Sequence, residues 1–168
     1  MAALVETMAY DRTRGLPWHG LGTPVEGSMT SKEAIELAGL NWKVNPTPIY
    51  DMNGREIPNC KANMRDSDQS ILGIVSDRYT IVQNSEAFEF TDSLLGEGVT
   101  YDTAGSLRDG KQIWLLAKMP RTTILGDDVD PYLCFTNTFD GSGAVRVCAT
   151  PIRVVCNNTL NLALETTK

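Results

Sequence analysis

Lys61 and Arg65 lie four residues apart in a β-rich run, residues 57–65. In a strand, the period of two puts both cations on one face with Asn63 between them. Arg78 and Tyr79 open the next strand-like run but one. Arg146 and Arg153 stand in a stretch that leads into Asn157 and Asn158. Cations on a sheet, interleaved with rings such as Tyr79 or Trp18, suit a groove that tracks a single nucleic-acid strand: the charges neutralise phosphates and the rings stack on bases. The same positions also fit the solvated face of a half-buried sheet.

Other candidates are weaker. His19, in the string Trp18-His19-Gly20-Leu21-Gly22, is the one histidine and could act as a general base. No nucleophile or acid adjoins it in sequence, and Trp18 reads equally well as a staple between the N-terminal segment and the core. Asp127, Asp128 and Asp130 could gather oxygens around a hard cation, but their spacing is not that of a calcium loop. The four cysteines, Cys60, Cys134, Cys148 and Cys156, form no C-x-x-C pair, so zinc-site spacing is absent. The last three sit in apolar runs and read as reduced, structural thiols. Phosphate-loop, dinucleotide, nucleophile-elbow and zinc-protease motifs are absent. The expectation is therefore a protein with no catalytic residues, no metal and no cofactor.

Charge sharpens the candidate groove. The chain is acidic, with a formal net charge of −6. Residues 85–140 hold four Lys or Arg against ten Asp or Glu. Residues 141–164 hold Arg146 and Arg153 with no acid at all. Bulk acidity disfavours indiscriminate adhesion to nucleic acid, whereas a local basic face still attracts phosphate. No apolar run reaches the roughly 18 residues of a membrane span, and the N-terminus lacks the basic start and apolar core of a secretory signal. These features lead us to expect a soluble, cytoplasmic protein with no membrane partner.

The elements that must position these residues follow from local pattern. Residues 1–28, rich in Gly and Pro from residue 11 on, read as an irregular N-terminal arm. Residues 29–168 then read as a single α+β domain. A first helix begins at Thr30-Ser31 and ends at Gly39. Strands are predicted over residues 42–50, 57–65, 71–76 and 79–83, followed by a helix opened by Asn84-Ser85-Glu86. Further strands are predicted at 99–107, 112–119, 132–138, 144–149 and 152–156, with an edge pairing near 122–125. Asn157 and Asn158 then cap a final helix. The predicted fold class is α+β with largely antiparallel sheet and a helix before and after. Residues 42–95 and 99–168 rhyme as two β-hairpin-plus-helix units.

Four strings occur together in order: PWHGLGTPV, ILGIVSDRYTIVQNSEAFEF, YDTAGSLRDGKQIWLLAKMP and DPYLCFTNTFDGSGAVRVCATPIRVVCNNTLNLAL. From about Pro17 to Leu164 the chain resembles the phage/plasmid-like protein family, a domain of unknown function carried by bacteria and their mobile elements. Members of that family usually continue past this last string, so the chain resembles a short member or an N-terminal portion. The resemblance implies a bacterial host cell and genes of DNA replication and recombination. The order of hairpins and helices also resembles ring-forming single-strand annealing proteins. That pattern implies single-stranded DNA as partner, a homo-oligomer, and Lys61, Arg65, Arg78, Arg146 and Arg153 at phosphates, with Tyr79 and Trp18 stacking and Asn157 and Asn158 offering polar contacts. A second expectation is an acidic inhibitor that uses residues 85–140 to bind a host or phage protein, such as a defence or nucleic-acid-processing enzyme.

Overall fold

The computed structural model describes residues 3–166. Among them are three α-helices and eleven strands, arranged as an α+β fold of mostly antiparallel sheet. The strands are β1 (Val5–Asp11), β2 (Thr23–Val25), β3 (Val44–Thr47), β4 (Cys60–Arg65), β5 (Ile71–Ser76), β6 (Tyr101–Leu107), β7 (Gln112–Lys118), β8 (Thr122–Ile124), β9 (Asp127–Val129), β10 (Tyr132–Thr138) and β11 (Arg146–Thr150). The helices are α1 (Ser31–Leu37), α2 (Asn84–Leu95) and α3 (Asn157–Glu165).

A six-stranded sheet in the order β11-β10-β7-β6-β1-β2 is the frame of the molecule. Its pairings are antiparallel except for the parallel pair β1 and β2. Both faces are covered, so β6 and β10 are buried along their whole length and β7 along all but its two ends, with Asp102, Thr103, Ser106, Thr136, Asn137 and Thr138 buried among the apolar side chains. On one face Ile113, Leu115, Ala117, Leu133 and Phe135 pack with Ala34, Ala38, Trp42 and Phe88, from α1 and its C-terminal cap, the residues just before β3, and α2. On the other face Trp114, Leu116, Tyr132 and Cys134 pack against Val154, Leu160 and Ala163, so α3 closes that side. A separate three-stranded sheet, β3-β4-β5, leads into α2, and a small hairpin pairs β8 with β9.

Local chemistry explains the helix ends. Thr30 caps α1: its hydroxyl accepts from the Glu33 N–H, and the Glu33 carboxylate accepts from the Thr30 N–H and hydroxyl. Gly39 follows at φ 66°, the left-handed conformation that stops the helix. At α3 the cap lies at Cys156, one residue before the predicted asparagines. The Thr159 hydroxyl accepts from the N–H groups of Val155 and Cys156.

Three expectations about elements are corrected. Residues 5–11 are not an irregular arm: β1 fills the place between β6 and β2 and buries Met8, Ala9 and Tyr10. Its alternation of Thr7, Met8, Ala9 and Tyr10 is weak because both faces are covered. Residues 79–83 are not a strand. Gln83 instead brackets Val44 with its side-chain amide, accepting from the Val44 N–H and donating to the Val44 carbonyl, and so supplies the pairing a strand would have made. Residues 152–156 are also irregular, held by side-chain contacts described below.

Candidate functional site

The α3 face of the large sheet changes character along its strands. Trp114 and Leu116 on β7, and Tyr132 and Cys134 on β10, meet the apolar side of α3. One step further, the same faces present Gln112, Thr136, Thr138 and Arg146. Asn157 and Asn161, four apart and therefore neighbours on the helix surface, face them from α3 together with Leu164. Arg108, in the β6–β7 turn, completes the wall. These residues enclose an open cleft of about 440 Å³ with no acidic side chain in its lining.

The polar groups of the cleft are pre-oriented. The Gln112 carbonyl oxygen accepts from Arg108 Nη2 at 2.8 Å, and the Gln112 amide donates to the Thr136 hydroxyl at 3.1 Å, which donates in turn to the Ile113 carbonyl. Thr138 holds the following loop by donating to the Gly143 carbonyl and accepting from the Gly143 N–H. Arg108 is partly satisfied: Asp140 lies 4.0 Å from Nη1, but its buried Nε meets no acceptor among the described residues. Arg146 is exposed, pairs across the ladder with Thr136, and has no ion-pair partner among the described residues. Two guanidinium groups, three amides and hydroxyls without a carboxylate in the lining form a surface for anions and polar edges.

The predicted site residues divide. Arg146 and Asn157 line the cleft; Asn158 is exposed, next to Asn157 in the first turn of α3. Arg78 is exposed in the turn after β5. The others are occupied with the fold. Arg65 is buried, donates to Glu6 and Asp68 and lies over the Trp42 ring, so its guanidinium is committed within the fold. Lys61 donates to the carbonyls of Asp77 and Tyr79. Asn63 is buried and donates to the Phe139 carbonyl. The Lys61–Asn63–Arg65 face thus turns inward because the small sheet packs it against the Phe139 segment and β1. The Tyr79 hydroxyl donates to the Thr138 carbonyl, and burial pushes its pKa upward, helped by the Asp140 charge.

Arg153 is the most heavily engaged of the predicted ligands. Its guanidinium grips the fully buried Asp102 through Nε and Nη2 and donates to the carbonyls of Asp11, Arg14 and Gly15. It locks the N-terminal segment against β6. Nearby, Lys118 pairs with Asp11 at 3.0 Å, and Asp130 receives both Arg121 and Arg14. Asp130 is therefore committed to arginines, which hold its carboxyl at about 2. His19 is likewise structural. Leu21 N–H donates to Nδ1, leaving Nε2 to donate to the Val155 carbonyl at 2.9 Å. Trp18, 65% exposed, stands edge-on to His19 and contacts the Cys156 thiol. Burial alone would raise the pKa of that thiol, but Thr159, the Asn158 N–H and Trp18 hold it below its ordinary value.

The cleft residues that sequence reasoning missed are Arg108, Gln112, Thr136, Thr138 and Asn161. The i, i+4 spacing of Asn157 and Asn161 was a visible signal. The gathering of strand ends and a turn was not, because it depends on β7 lying between β6 and β10. No helix among the described residues is long and apolar enough to cross a membrane. No curated protein and no solved structure matches the chain. A family model matches residues 71–168, the segment that supplies every cleft residue named above, and the chain belongs to that family, described as Domain of unknown function (DUF932).

Proposed function

We propose that this protein binds single-stranded nucleic acid, without catalysis, along the cleft between α3 and the ends of β7, β10 and β11. The observation that carries this reading is a lining of two arginines, amides and hydroxyls with no acid, on a chain whose net charge is −6. Arg108 and Arg146 would neutralise phosphates, and Asn157, Asn161 and Gln112 would donate to and accept from sugar or base edges. The resemblance to phage/plasmid-like proteins and to the hairpin–helix order of annealing proteins supports single-stranded DNA as the strand, in a bacterial cell carrying a mobile element. The sheet has two terminal strands, β11 and β2, and strand-to-strand contacts there would supply an oligomer.

The acidic-inhibitor reading draws less support. Of the acids in residues 85–140, Asp92 accepts from Tyr101, Asp102 is held by Arg153, and Asp130 by Arg14 and Arg121. These three are committed to partners within the protein, and the exposed acids, Glu86, Glu89, Glu97, Asp109, Asp127 and Asp128, are split between α2 with the residues after it, the β6–β7 turn and β9.

Fluorescence anisotropy of a labelled single-stranded oligonucleotide tests the proposal. Two neutralised phosphates predict a log–log salt slope of about −1.4, and Arg146→Ala should flatten it by about 0.7. No binding by the wild type at low salt would overturn the reading and turn the search to a protein partner.

A further inference from the structure

Cys134 and Cys148 face each other on one rung of the β10–β11 ladder, two rungs from the pair Thr136 and Arg146 and on the same face. Residues opposed in an antiparallel pair have Cα atoms about 4.5–5.5 Å apart. That separation lies inside the window of about 4.4–6.8 Å that a disulfide requires. Both are thiols, and a hydrogen bond joins their sulfurs. Cys134 is fully buried under α3, whereas Cys148 is half-buried on β11, the terminal strand of the sheet. Cys60, on β4, and Cys156, at the start of α3, belong to other elements.

We propose that Cys134 and Cys148 are a reversible dithiol/disulfide site, oxidised by small hydroperoxides, that clamps β11 to β10. Cys148, the accessible member, attacks the peroxide oxygen as its thiolate. This gives a sulfenic acid and releases one water or alcohol. The Cys134 sulfur then attacks the Cys148 sulfur, expelling the sulfenic oxygen as water. Two thiols are oxidised, one peroxide is reduced, and the two thiol protons leave in the products. A thiol reductant reverses the step. The clamp acts on a strand hydrogen-bonded on one side only, and Arg146 lies two residues away on the same face. Its effect on the cleft rests on the nucleic-acid reading above; the chemistry does not.

The test treats the intact chain with equimolar hydrogen peroxide and maps disulfides by peptide mass under non-reducing conditions. The expected product is a Cys134–Cys148 linked peptide pair, absent in Cys148→Ser and retained in Cys60→Ser and Cys156→Ser. The melting temperature should rise by several degrees and fall back with dithiothreitol. With Arg146 held in advance, oligonucleotide affinity should increase about two- to tenfold. Overoxidised Cys148 with no linkage, or linkage to another cysteine, would overturn the assignment. A linked protein with unchanged melting would overturn the clamp. Because linkage is read by mass, a cleft that binds no oligonucleotide in either state would refute the nucleic-acid reading alone.

Discussion

Arg153→Ala separates a structural arginine from a ligand-binding one. In the folded protein the guanidinium makes two hydrogen bonds to Asp102, at 3.0 and 3.1 Å, and donates to three backbone carbonyls. Asp102 is 0% exposed. Removing the cation strands a buried carboxylate and frees the carbonyls of Asp11, Arg14 and Gly15. Breaking a buried pair on one side costs about 3–5 kcal/mol, out of a total stability of about 5–15 kcal/mol. With a urea dependence of about 1–3 kcal/mol per molar, the unfolding midpoint should drop by at least about 1 M. Adding Asp102→Asn should recover part of the loss, since a neutral amide costs less to leave unpaired. Oligonucleotide affinity, measured where the variant is folded, should stay close to wild type. A midpoint shift worth less than about 1 kcal/mol, accompanied by lost binding, would refute the reasoning and return Arg153 to the ligand site.

The remaining predictions concern acid, space and backbone. Arg121 and then Arg14 hold the carboxyl of Asp130 at about 2, and the Arg65 and Ser70 contacts lower that of Asp68. Asp11 is also lowered: burial would raise it, but Thr13 and Lys118 outweigh that effect. Each group binds its proton less readily when folded, so its contribution is whole above the unfolded value of about 4 and is lost as pH falls toward 2. Urea midpoints should fall across that window, less so in Arg121→Ala; a flat profile in the wild type would contradict this. A Cβ at Gly105 would stand 2.4 Å from the Thr7 carbonyl oxygen and 2.5 Å from the Trp114 ring, so Gly105→Ala should lower stability by about 3 kcal/mol in urea unfolding. Leu125 is fully exposed at φ 52° beside Gly126 at φ 93°, a hairpin turn that favours Asn-Gly. Leu125→Asn should raise stability by about 0.5–1 kcal/mol, and a lower melting temperature would count against that turn geometry.

The elements were legible wherever one residue dominated its surroundings. Thr30 and Gly39 bounded the first helix, Asn84 opened the second, and β5 and β10 fell where the strand-rich runs put them. Residues 5–11 were missed because a strand covered on both faces loses its alternation. Residues 79–83 and 152–156 read as strands from their Val and Ile content, yet their backbone groups are met by side chains such as Lys61 at Tyr79, Asn137 at Val82 and Thr159 at Val155. The site was legible only in part. Charge counting along the chain singled out Arg146, because it lies in the acid-free stretch. It singled out Arg153 for the same reason, and the strand face shared with Lys61 singled out Arg65, because sequence distance hides Asp102, which lies 51 positions away from Arg153, and Glu6, which lies 59 positions away from Arg65.

Amide chemical-shift mapping during titration of the nitrogen-labelled protein with a short single-stranded oligonucleotide tests the central claim most directly. The account predicts that the largest salt-sensitive shifts cluster on Arg108, Gln112, Thr136, Arg146, Asn157 and Asn161, with Arg65 and Arg153 unmoved. Shifts centred on Lys61, Arg65 and Arg153, or none anywhere at low salt, would contradict it.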